Sequence, residues 1–287
     1  MGALKKAGWA VLGVVLATAV VVGGVVLWSS YQKVPLPIQD RCSATVQGRT
    51  TTVDPDQAYY AGIIAGMSVQ RGLKPRAASI ALTTAYQESG IRNLDYGHSD
   101  SLGLFQQRPS KGWGTEAEIM DPWYSTREFY RALVKVNKWD SKDINDVAQA
   151  VQRSAYPDAY RKHVDNAKTL ASALTGETPA SFTCVFANPE PADPSGLSDY
   201  LTKTLKSQIQ VSAAENSLRV TAKGEAQAWA AAEMAIAGSG RFGVSAVQLG
   251  PYGWTLSRSQ PASWSGTGPV TSNEVVISFT APTATPR

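Results

Sequence analysis

The sequence predicts an α+β protein with three parts: an N-terminal transmembrane helix, a mainly helical domain that contains one small β-hairpin, and a small α/β domain near the C-terminal end. Three observations predict this order. A long apolar run comes first, helical periodicity with matched start and stop signals follows, and alternating strand patterns appear beyond a Pro-rich segment.

The first part, residues 1–33, is predicted to be a cytoplasmic N-terminus and a membrane anchor. After Lys5 and Lys6 comes an uncharged apolar run, residues 8–28, and about 20 apolar residues span a bilayer core. Because the lysines precede the run, the positive-inside rule keeps the N-terminus in the cytoplasm. The alternative is a cleaved signal peptide, since residues 17–19 resemble a cleavage site. We expect a single-pass protein of the cell membrane with extracellular C-terminal domains.

Composition divides the exported part of the chain. Residues 34–53 are polar, with Pro and Thr, and are predicted to be a stalk. Residues 54–185 are the mainly helical domain, residues 186–196 are a stiff Pro-rich linker, residues 197–281 are the α/β domain, and residues 282–287 are a disordered tail.

The two cysteines of the chain, Cys42 and Cys184, bracket the helical domain. An even pair in an exported protein favours a disulfide, and two free buried thiols are the alternative. The bridge would close a loop of roughly 140 residues and join the two ends of one domain.

Start and stop signals predict about five helices between residues 54 and 175. Two of them open with an Asp N-cap followed by Pro, at residues 54–55 and 121–122, and another opens near Pro75. Gly90 is placed to end the helix that begins near Pro75.

The α/β domain is predicted from a short amphipathic helix, an Ala-rich helix and four strand candidates. The strand SLRVTA precedes the Ala-rich helix GEAQAWAAAEMAIAG, and GVSAVQL, WTLSR and NEVVISFTA follow it. A turn at GPYG joins GVSAVQL to WTLSR. Trp229 and Trp254 are predicted to fill the core of this domain.

Glu88 is the candidate catalytic acid. It lies in the last turn of a predicted helix, on one line with three small residues, Ala81, Thr84 and Ala85. The helix dipole would raise the pKa of the Glu88 carboxyl, and desolvation would raise it further if this line faces a partly apolar groove. Both effects favour the protonated form that a general acid needs. The alternative is a surface glutamate near a helix end.

The segment SLGLFQQ, residues 101–107, is predicted to be one strand of a short hairpin beside Glu88. Gln106 and Gln107 offer amide groups that match the hydroxyl and N-acetyl groups of a sugar. Flat apolar faces for sugar rings come from three nearby aromatic residues: Tyr96, Phe105 and Trp113. An acid at a helix end beside an amide-lined hairpin predicts a saccharide cleft.

The segments AYQESGIRNL and DSLGLFQQRPSKGWGT resemble the lysozyme-like superfamily, in particular its soluble lytic transglycosylase and goose-type lysozyme domains. Those families show a Glu-Ser pair that ends a helix and then a Gly-hydrophobic-Gln segment in a small hairpin. Glu88-Ser89 matches the first element, and residues 103–106 match the second. The resemblance covers about residues 54–175. Its longer form looks like a version common in membrane-anchored actinobacterial proteins and phage tail-associated lysozyme domains.

The resemblance implies that Glu88 protonates the glycosidic oxygen between N-acetylmuramic acid and N-acetylglucosamine in peptidoglycan. In the transglycosylases the same Glu then deprotonates the C6 hydroxyl, which gives a 1,6-anhydro product without a second carboxylate. Ordinary hydrolases need a carboxyl pair, and Asp95 and Asp100 are the candidates for that role. The implied substrate-binding residues are Ser89, Phe105, Gln106, Gln107 and Tyr156.

The late segment VAQAVQRSAYPDAY stands where the family has an Ala-Tyr-Asn segment. The family residues that help to place the Glu and the substrate are not matched one by one. Tyr156 and Tyr160 are candidates by location, and core packing is the alternative for both. A non-catalytic peptidoglycan-binding or cell-envelope assembly module therefore stays open beside the enzyme.

The expected partners are peptidoglycan and the membrane, with a cell-envelope or secretion-system protein as a candidate partner of the C-terminal domain. The net charge of +4 is too small to indicate nucleic acid. His98 stands alone in its segment, so the sequence supports neither a metal site nor a catalytic triad, and we expect no cofactor. A secretion or conjugation component is a further reading, compatible with either the enzyme or the binding module.

Overall fold

The computed structural model describes residues 39–153, 158–214 and 216–280. From Gln39 onward the chain forms one compact unit with mixed α+β structure. The predicted anchor and tail lie outside the described residues. Within the described ranges, no helix is both long enough and apolar enough to cross a bilayer.

Nine α-helices lie in the described part of the chain, which we number in chain order. They are α1 Pro55–Gln70, α2 Pro75–Ser89, α3 Glu116–Met120, α4 Pro122–Leu133, α5 Ile144–Gln152, α6 Val164–Leu174, α7 Pro194–Leu205, α8 Glu225–Ala237 and α9 Ser239–Phe242.

Strands in the described ranges form two antiparallel sheets. The three-stranded sheet has the order β2-β1-β3, and the five-stranded sheet has the order β4-β5-β8-β6-β7. The strands are β1 Arg41–Val46, β2 Arg49–Val53, β3 Phe182–Val185, β4 Ile209–Ala214, β5 Ser217–Ala222, β6 Val244–Leu249, β7 Tyr252–Thr255 and β8 Glu274–Phe279.

The predicted helix signals act as the sequence indicates. The side chain of Asp54 accepts a hydrogen bond from the backbone N–H of Gln57 at 2.9 Å, and the Gln57 side chain accepts one from the N–H of Asp54 at 3.0 Å. This is a complete capping box. The side chain of Asp121 caps α4 by accepting a hydrogen bond from the N–H of Trp123 at 2.8 Å. Gly90 ends α2 in the left-handed conformation, with φ 65°.

Residues 41–53, predicted to be part of a stalk, instead form β1 and β2. Cys42, Ala44 and Val53 are buried under α6, so the prediction of a solvent-exposed stalk is wrong for these residues. Cys42 stands directly opposite Cys184 on β3, with their Cα atoms 4.0 Å apart, and the two form the predicted disulfide. A polar composition concealed the period-2 burial pattern of a strand.

The predicted linker, residues 186–196, does not separate two bodies in this structure. Helix α8 is buried along most of its length, because it packs against α1 on one side and the five-stranded sheet on the other. Two glycines of α1 make close packing possible, Gly66 against Met234 of α8 and Gly62 against Tyr200 of α7. A Cβ atom on Gly66 would lie 2.6 Å from Met234 Sδ, and one on Gly62 would overlap Tyr200 Oη. The helical and α/β parts therefore share one hydrophobic core, which includes Trp229 and Trp254 as predicted.

Glu233 of α8 is a fully buried carboxyl at the start of β3. The backbone N–H of Ser181 donates a hydrogen bond to its Oε1 at 2.8 Å, and the Ser181 hydroxyl lies 3.4 Å from both carboxyl oxygens. Burial raises the pKa of Glu233 well above its ordinary value, and the hydrogen bonds from Ser181 offset only part of this effect.

We expect Glu233→Gln to flatten the pH dependence of the free energy of unfolding. The folded-state pKa of Glu233 lies above the ordinary value of 4.5, so the folded state binds more protons than the unfolded state above that pH. Stability therefore falls as the pH rises from about 4.5 towards the folded pKa. Gln keeps an acceptor for the Ser181 N–H and does not titrate.

The measurement is denaturant unfolding of the full chain between about pH 5 and pH 9. Glu225→Gln is the matched control, since Glu225 is an exposed carboxylate on the same helix. If the free energy of unfolding of Glu233→Gln changed with pH as steeply as that of the wild type, the raised pKa of Glu233 would be contradicted.

Candidate functional site

Glu88 is half-buried in the last turn of α2, and two side chains act on its carboxylate. The hydroxyl of Tyr160 donates a hydrogen bond to Glu88 Oε1 at 2.6 Å. The side-chain amide of Gln152, at the end of α5, also acts on the Glu88 carboxyl and lowers its pKa. Tyr160 is only 1% exposed, so its hydroxyl reaches the carboxyl from the protein core.

Burial raises the pKa of the Glu88 carboxyl above its ordinary value. The Tyr160 hydroxyl and the Gln152 amide favour the ionised form and lower the pKa in part. The net direction is upward, which is the direction that the sequence predicts from desolvation. A carboxyl of this kind can release a proton and then be stabilised as a carboxylate by the same two donors.

Gln152 also connects α5 to the loop that follows α2. Its Nε2 donates a hydrogen bond to the carbonyl oxygen of Phe105 at 2.6 Å. The sequence did not indicate Gln152 as a site residue, and it placed Tyr160 only by approximate location. Both residues lie in the late segment that the resemblance aligns with the family. That alignment was the sequence signal that could have indicated them. Tyr156 lies outside the described residues.

Ser89, predicted to bind substrate, joins the end of α2 to the neighbouring loop. Its hydroxyl oxygen lies 2.8 Å from the Leu104 carbonyl and 3.1 Å from the Ala85 carbonyl, and it accepts a hydrogen bond from the Arg92 N–H at 3.2 Å. These contacts make Ser89 a structural link that fixes the loop relative to Glu88.

The predicted hairpin strand at residues 101–107 is instead a tight loop closed by one antiparallel bridge. The backbone N–H and C=O groups of Leu102 and Gln107 pair at 2.9 and 3.0 Å, and four residues turn between them. Gly103 and Gln106 both adopt positive φ, at 74° and 47°. These two left-handed residues bend the chain too sharply for a strand.

Phe105 and Gln107, both predicted to bind substrate, are buried in this structure. Phe105 is 0% exposed and its ring stacks on Phe129, with centroids 4.5 Å apart. Gln107 is 1% exposed and its Nε2 donates to the Ser125 carbonyl at 3.1 Å. The tight loop directs both side chains into the core.

Gln106 stays half-buried at the surface of the same loop. Its Nε2 donates to the carbonyl of Tyr96 at 3.2 Å and lies 3.4 Å from that of Gly103. These bonds fix the side chain across the loop. Contact between Gln106 and a sugar stays a prediction. The exposed side chain of Tyr96 beside Gln106 would give the same sugar a second surface to contact.

The line of small residues on α2 faces the core. Ala81, Thr84 and Ala85 are each 0% exposed, and α2 packs closely against α6. These three residues therefore do not border a groove. Small side chains are used here for close helix packing, and among these four residues only Glu88 reaches the surface.

Two residues in left-handed conformation follow the Glu88-Ser89 pair. Gly90 has φ 65° and Ile91 has φ 57°. This conformation is unfavourable for a β-branched residue such as Ile91, whose side chain is fully buried. Strain of this kind persists where the surrounding packing fixes it, and it is concentrated at functional sites.

Asp100, weighed as a second catalytic carboxyl, is bound within its own loop. Its Oδ1 accepts from Arg108 Nε at 2.6 Å and its Oδ2 accepts from the Ser110 N–H at 2.8 Å. These hydrogen bonds lower the pKa of Asp100 well below its ordinary value. Asp100 is therefore an ionised anchor of the loop, and Asp95 is exposed nearby in sequence.

Within residues 39–153, 158–214 and 216–280, His, Cys, Asp and Glu side chains form no group of three that could hold a metal ion. Comparison of the sequence with protein-family models and with curated proteins gave no match.

Proposed function

We propose that this chain is a membrane-anchored, extracytoplasmic lysozyme-like enzyme that cleaves peptidoglycan between N-acetylmuramic acid and N-acetylglucosamine. The observation that carries the proposal is the 2.6 Å hydrogen bond from Tyr160 to Glu88, at a carboxyl whose pKa is raised by burial. A carboxyl that remains protonated to higher pH is suited to general acid catalysis. The motifs around Glu88 support the choice of substrate.

In the proposed reaction, Glu88 gives its proton to the glycosidic oxygen while the bond from that oxygen to C1 of muramic acid breaks. The acetamido group of the substrate assists at C1. The Glu88 carboxylate then takes the proton of the C6 hydroxyl, whose oxygen bonds to C1 and closes the 1,6-anhydro ring. Tyr160 and Gln152 stabilise the carboxylate between the two proton transfers.

One carboxyl is sufficient for this route. A hydrolase of the usual kind needs a second carboxylate to activate water or to act as nucleophile. Asp100 is held by Arg108 and Ser110, and this supports an anhydro product over hydrolysis.

A non-catalytic peptidoglycan-binding or envelope assembly module is the second candidate. The observation that favours it is the loss of predicted sugar contacts, because Phe105 and Gln107 are buried. In that case a glycan strand would bind beside Glu88 without cleavage, and the C-terminal part would contact a cell-envelope or secretion-system protein.

Sedimentation with purified sacculi separates the two candidates. The full chain, in a detergent that contains no sugar, is incubated with sacculi, and the pellet and the supernatant are analysed over time. The enzyme releases soluble muropeptides into the supernatant. The binding module sediments with the sacculi and releases none. A chain that neither sediments nor releases muropeptides would contradict both candidates.

We expect Tyr160→Phe to lower the rate of release by about ten- to a hundredfold, because it removes a hydrogen bond to a charged group. The same change raises the pKa of Glu88 further, since the Tyr160 hydroxyl favours the ionised form. The alkaline limb of the pH–rate profile, where Glu88 loses its proton, should therefore move to higher pH.

The control for Tyr160→Phe is Tyr200→Phe. The hydroxyl of Tyr200 is also buried and donates to the Tyr59 carbonyl at 3.3 Å. Tyr200→Phe should change stability without moving the alkaline limb. A rate loss in Tyr160→Phe with an unmoved limb would show that Tyr160 does not act through Glu88.

A further inference from the structure

A cavity lies between β3 and the loop that joins β7 to β8. It measures about 390 Å³, within the range of about 300–1,000 Å³ that is typical of small-ligand sites. None of its lining residues belongs to α2, to α5 or to the loop at residues 102–107. It is therefore a feature separate from the Glu88 site.

The outer wall of the cavity is an unusual loop, residues 256–273. It contains no helix or extended strand, and connections longer than about 12–15 residues of this kind are uncommon and usually functional or disordered. This loop has a fixed shape, because Ser265 exchanges backbone hydrogen bonds with Gly253 of β7 at 3.0 and 2.8 Å. Gly266 follows with φ 97°, where a Cβ atom would overlap the Pro251 carbonyl.

Two of the three aromatic residues that line the cavity, Tyr252 and Trp264, are held in fixed positions. Tyr252 and Trp264 are half-buried, and both pack edge-on against Trp229 with centroids 5.1 and 5.2 Å apart. The Trp264 indole N–H donates to the Phe182 carbonyl at 3.0 Å, and the Tyr252 hydroxyl donates to the Gly268 carbonyl at 3.1 Å. Rings held in this way lose little freedom when a ligand binds.

The rest of the lining is uncharged and mixes hydroxyl side chains with Ala180, Phe182, Ala262 and Gly266. Hydroxyl groups come from four residues: Thr45, Ser181, Thr183 and Ser263. Three of them already have partners in the protein, and for Thr45 the partner is the Thr50 hydroxyl at 3.0 Å. The Ser181 hydroxyl donates to the Thr178 carbonyl at 2.7 Å, and the Thr183 hydroxyl accepts from the Trp254 indole at 2.9 Å. Each oxygen keeps acceptor capacity. None of the lining side chains is charged, which disfavours an ionic ligand.

We propose that this cavity is a second saccharide site, which binds a neutral N-acetylhexosamine unit of a glycan strand. The C–H faces of a pyranose ring suit the negative faces of aromatic rings, and its hydroxyl groups suit a hydroxyl-rich wall. The choice of N-acetylhexosamine rests on the proposed function. The preference for a neutral ring that carries hydroxyl groups follows from the residues that line the cavity.

The test uses the full chain with Glu88→Gln, so that cleavage does not alter the ligand. The chain is labelled with 5-fluorotryptophan, kept in a detergent without sugar and titrated with chitotetraose, a neutral oligomer of N-acetylglucosamine. The signal of Trp264, one of eight tryptophans, is assigned by its loss in Trp264→Phe. We expect this fluorine signal to shift and saturate. A signal that does not move over the titration would overturn the proposal.

Two variants test the site without emptying the core. Ser263→Glu adds bulk and charge at an exposed lining position, and it should weaken chitotetraose binding at Trp264 about tenfold or more. Ser259→Glu is the matched control, because Ser259 is exposed on the same loop and is not a lining residue. Equal weakening in both variants would overturn the proposal.

Failure of this proposal and failure of the proposed function appear in different samples. The first is an unmoved Trp264 signal in the Glu88→Gln chain. The second is the absence of released muropeptides when the chain with Glu88 intact is incubated with sacculi.

Discussion

Glu88→Gln should lower the rate of muropeptide release by about a hundred- to ten-thousandfold, the usual contribution of a general acid. Gln has nearly the shape of Glu and can still accept the hydrogen bond from Tyr160. It cannot give a proton to the glycosidic oxygen or take one from the C6 hydroxyl. The measurement is the initial rate of soluble muropeptide release from purified sacculi.

The same substitution should not destabilise the protein at neutral pH. The folded-state pKa of Glu88 is raised, so its ionisation costs stability as the pH rises above the ordinary value of 4.5. Gln removes this cost, and we expect an unfolding midpoint equal to or above that of the wild type. Glu190→Gln, at an exposed carboxylate, is the matched control and should retain full activity. Full activity in Glu88→Gln would contradict the assignment of the acid.

Replacing both Cys42 and Cys184 by Ala should lower the free energy of unfolding by about 2–5 kcal/mol. The bridge joins residues 142 apart, so its loss frees a long loop in the unfolded state. It also links β1 to β3 at directly opposed positions. A loss of this size is a large part of the total stability of an ordinary domain, about 5–15 kcal/mol.

The measurement is denaturant unfolding of the wild type and the double variant, each with and without a thiol reductant. Reductant should destabilise the wild type by a similar amount and leave the double variant unchanged. The second arm separates the loss of the bridge from the loss of side-chain packing. A double variant within about 0.5 kcal/mol of the oxidised wild type would contradict the proposed stabilising role of the bridge.

Local signals predicted the helices well and the strands unevenly. Asp54, Asp121 and Gly90 act as caps because capping chemistry depends on neighbouring backbone groups. Strands β1 and β2 were missed because their polar Thr residues are typical of an exposed segment. Which of their side chains are buried depends on contacts with residues far along the chain. Strand β4, which packs at a sheet edge with exposed residues, was missed for the same reason.

The division into domains was inferred from composition, and composition does not reveal packing. The Pro-rich residues 186–196 have the features of a linker, but α8 beyond them is rich in alanine and has apolar residues on every side of its second half. A helix of that kind must be buried from every direction. The composition of α8 and the glycines of α1 were together the sequence signal for a shared core.

In the candidate site, the position of Glu88 could be predicted from the sequence and its surroundings could not. The helix signals and the Glu-Ser pair located the acid. Which side chains of the late segment reach it depends on the angle between α5 and α2, which no local pattern specifies. Gln152 and Tyr160 therefore became evident only in the structure. Phe105 and Gln107 lie in the core on either side of the half-buried Gln106, and no local pattern specifies which side chains of this segment face the core.

Mass spectrometry of the products released from purified sacculi tests the central claim most directly. We expect muropeptides with 1,6-anhydro-N-acetylmuramic acid ends, lighter by one water than hydrolysis products, from the wild type and none above background from Glu88→Gln. Equal amounts of these products from both chains, or sacculi that bind the wild type and release nothing, would contradict the claim that Glu88 cleaves peptidoglycan.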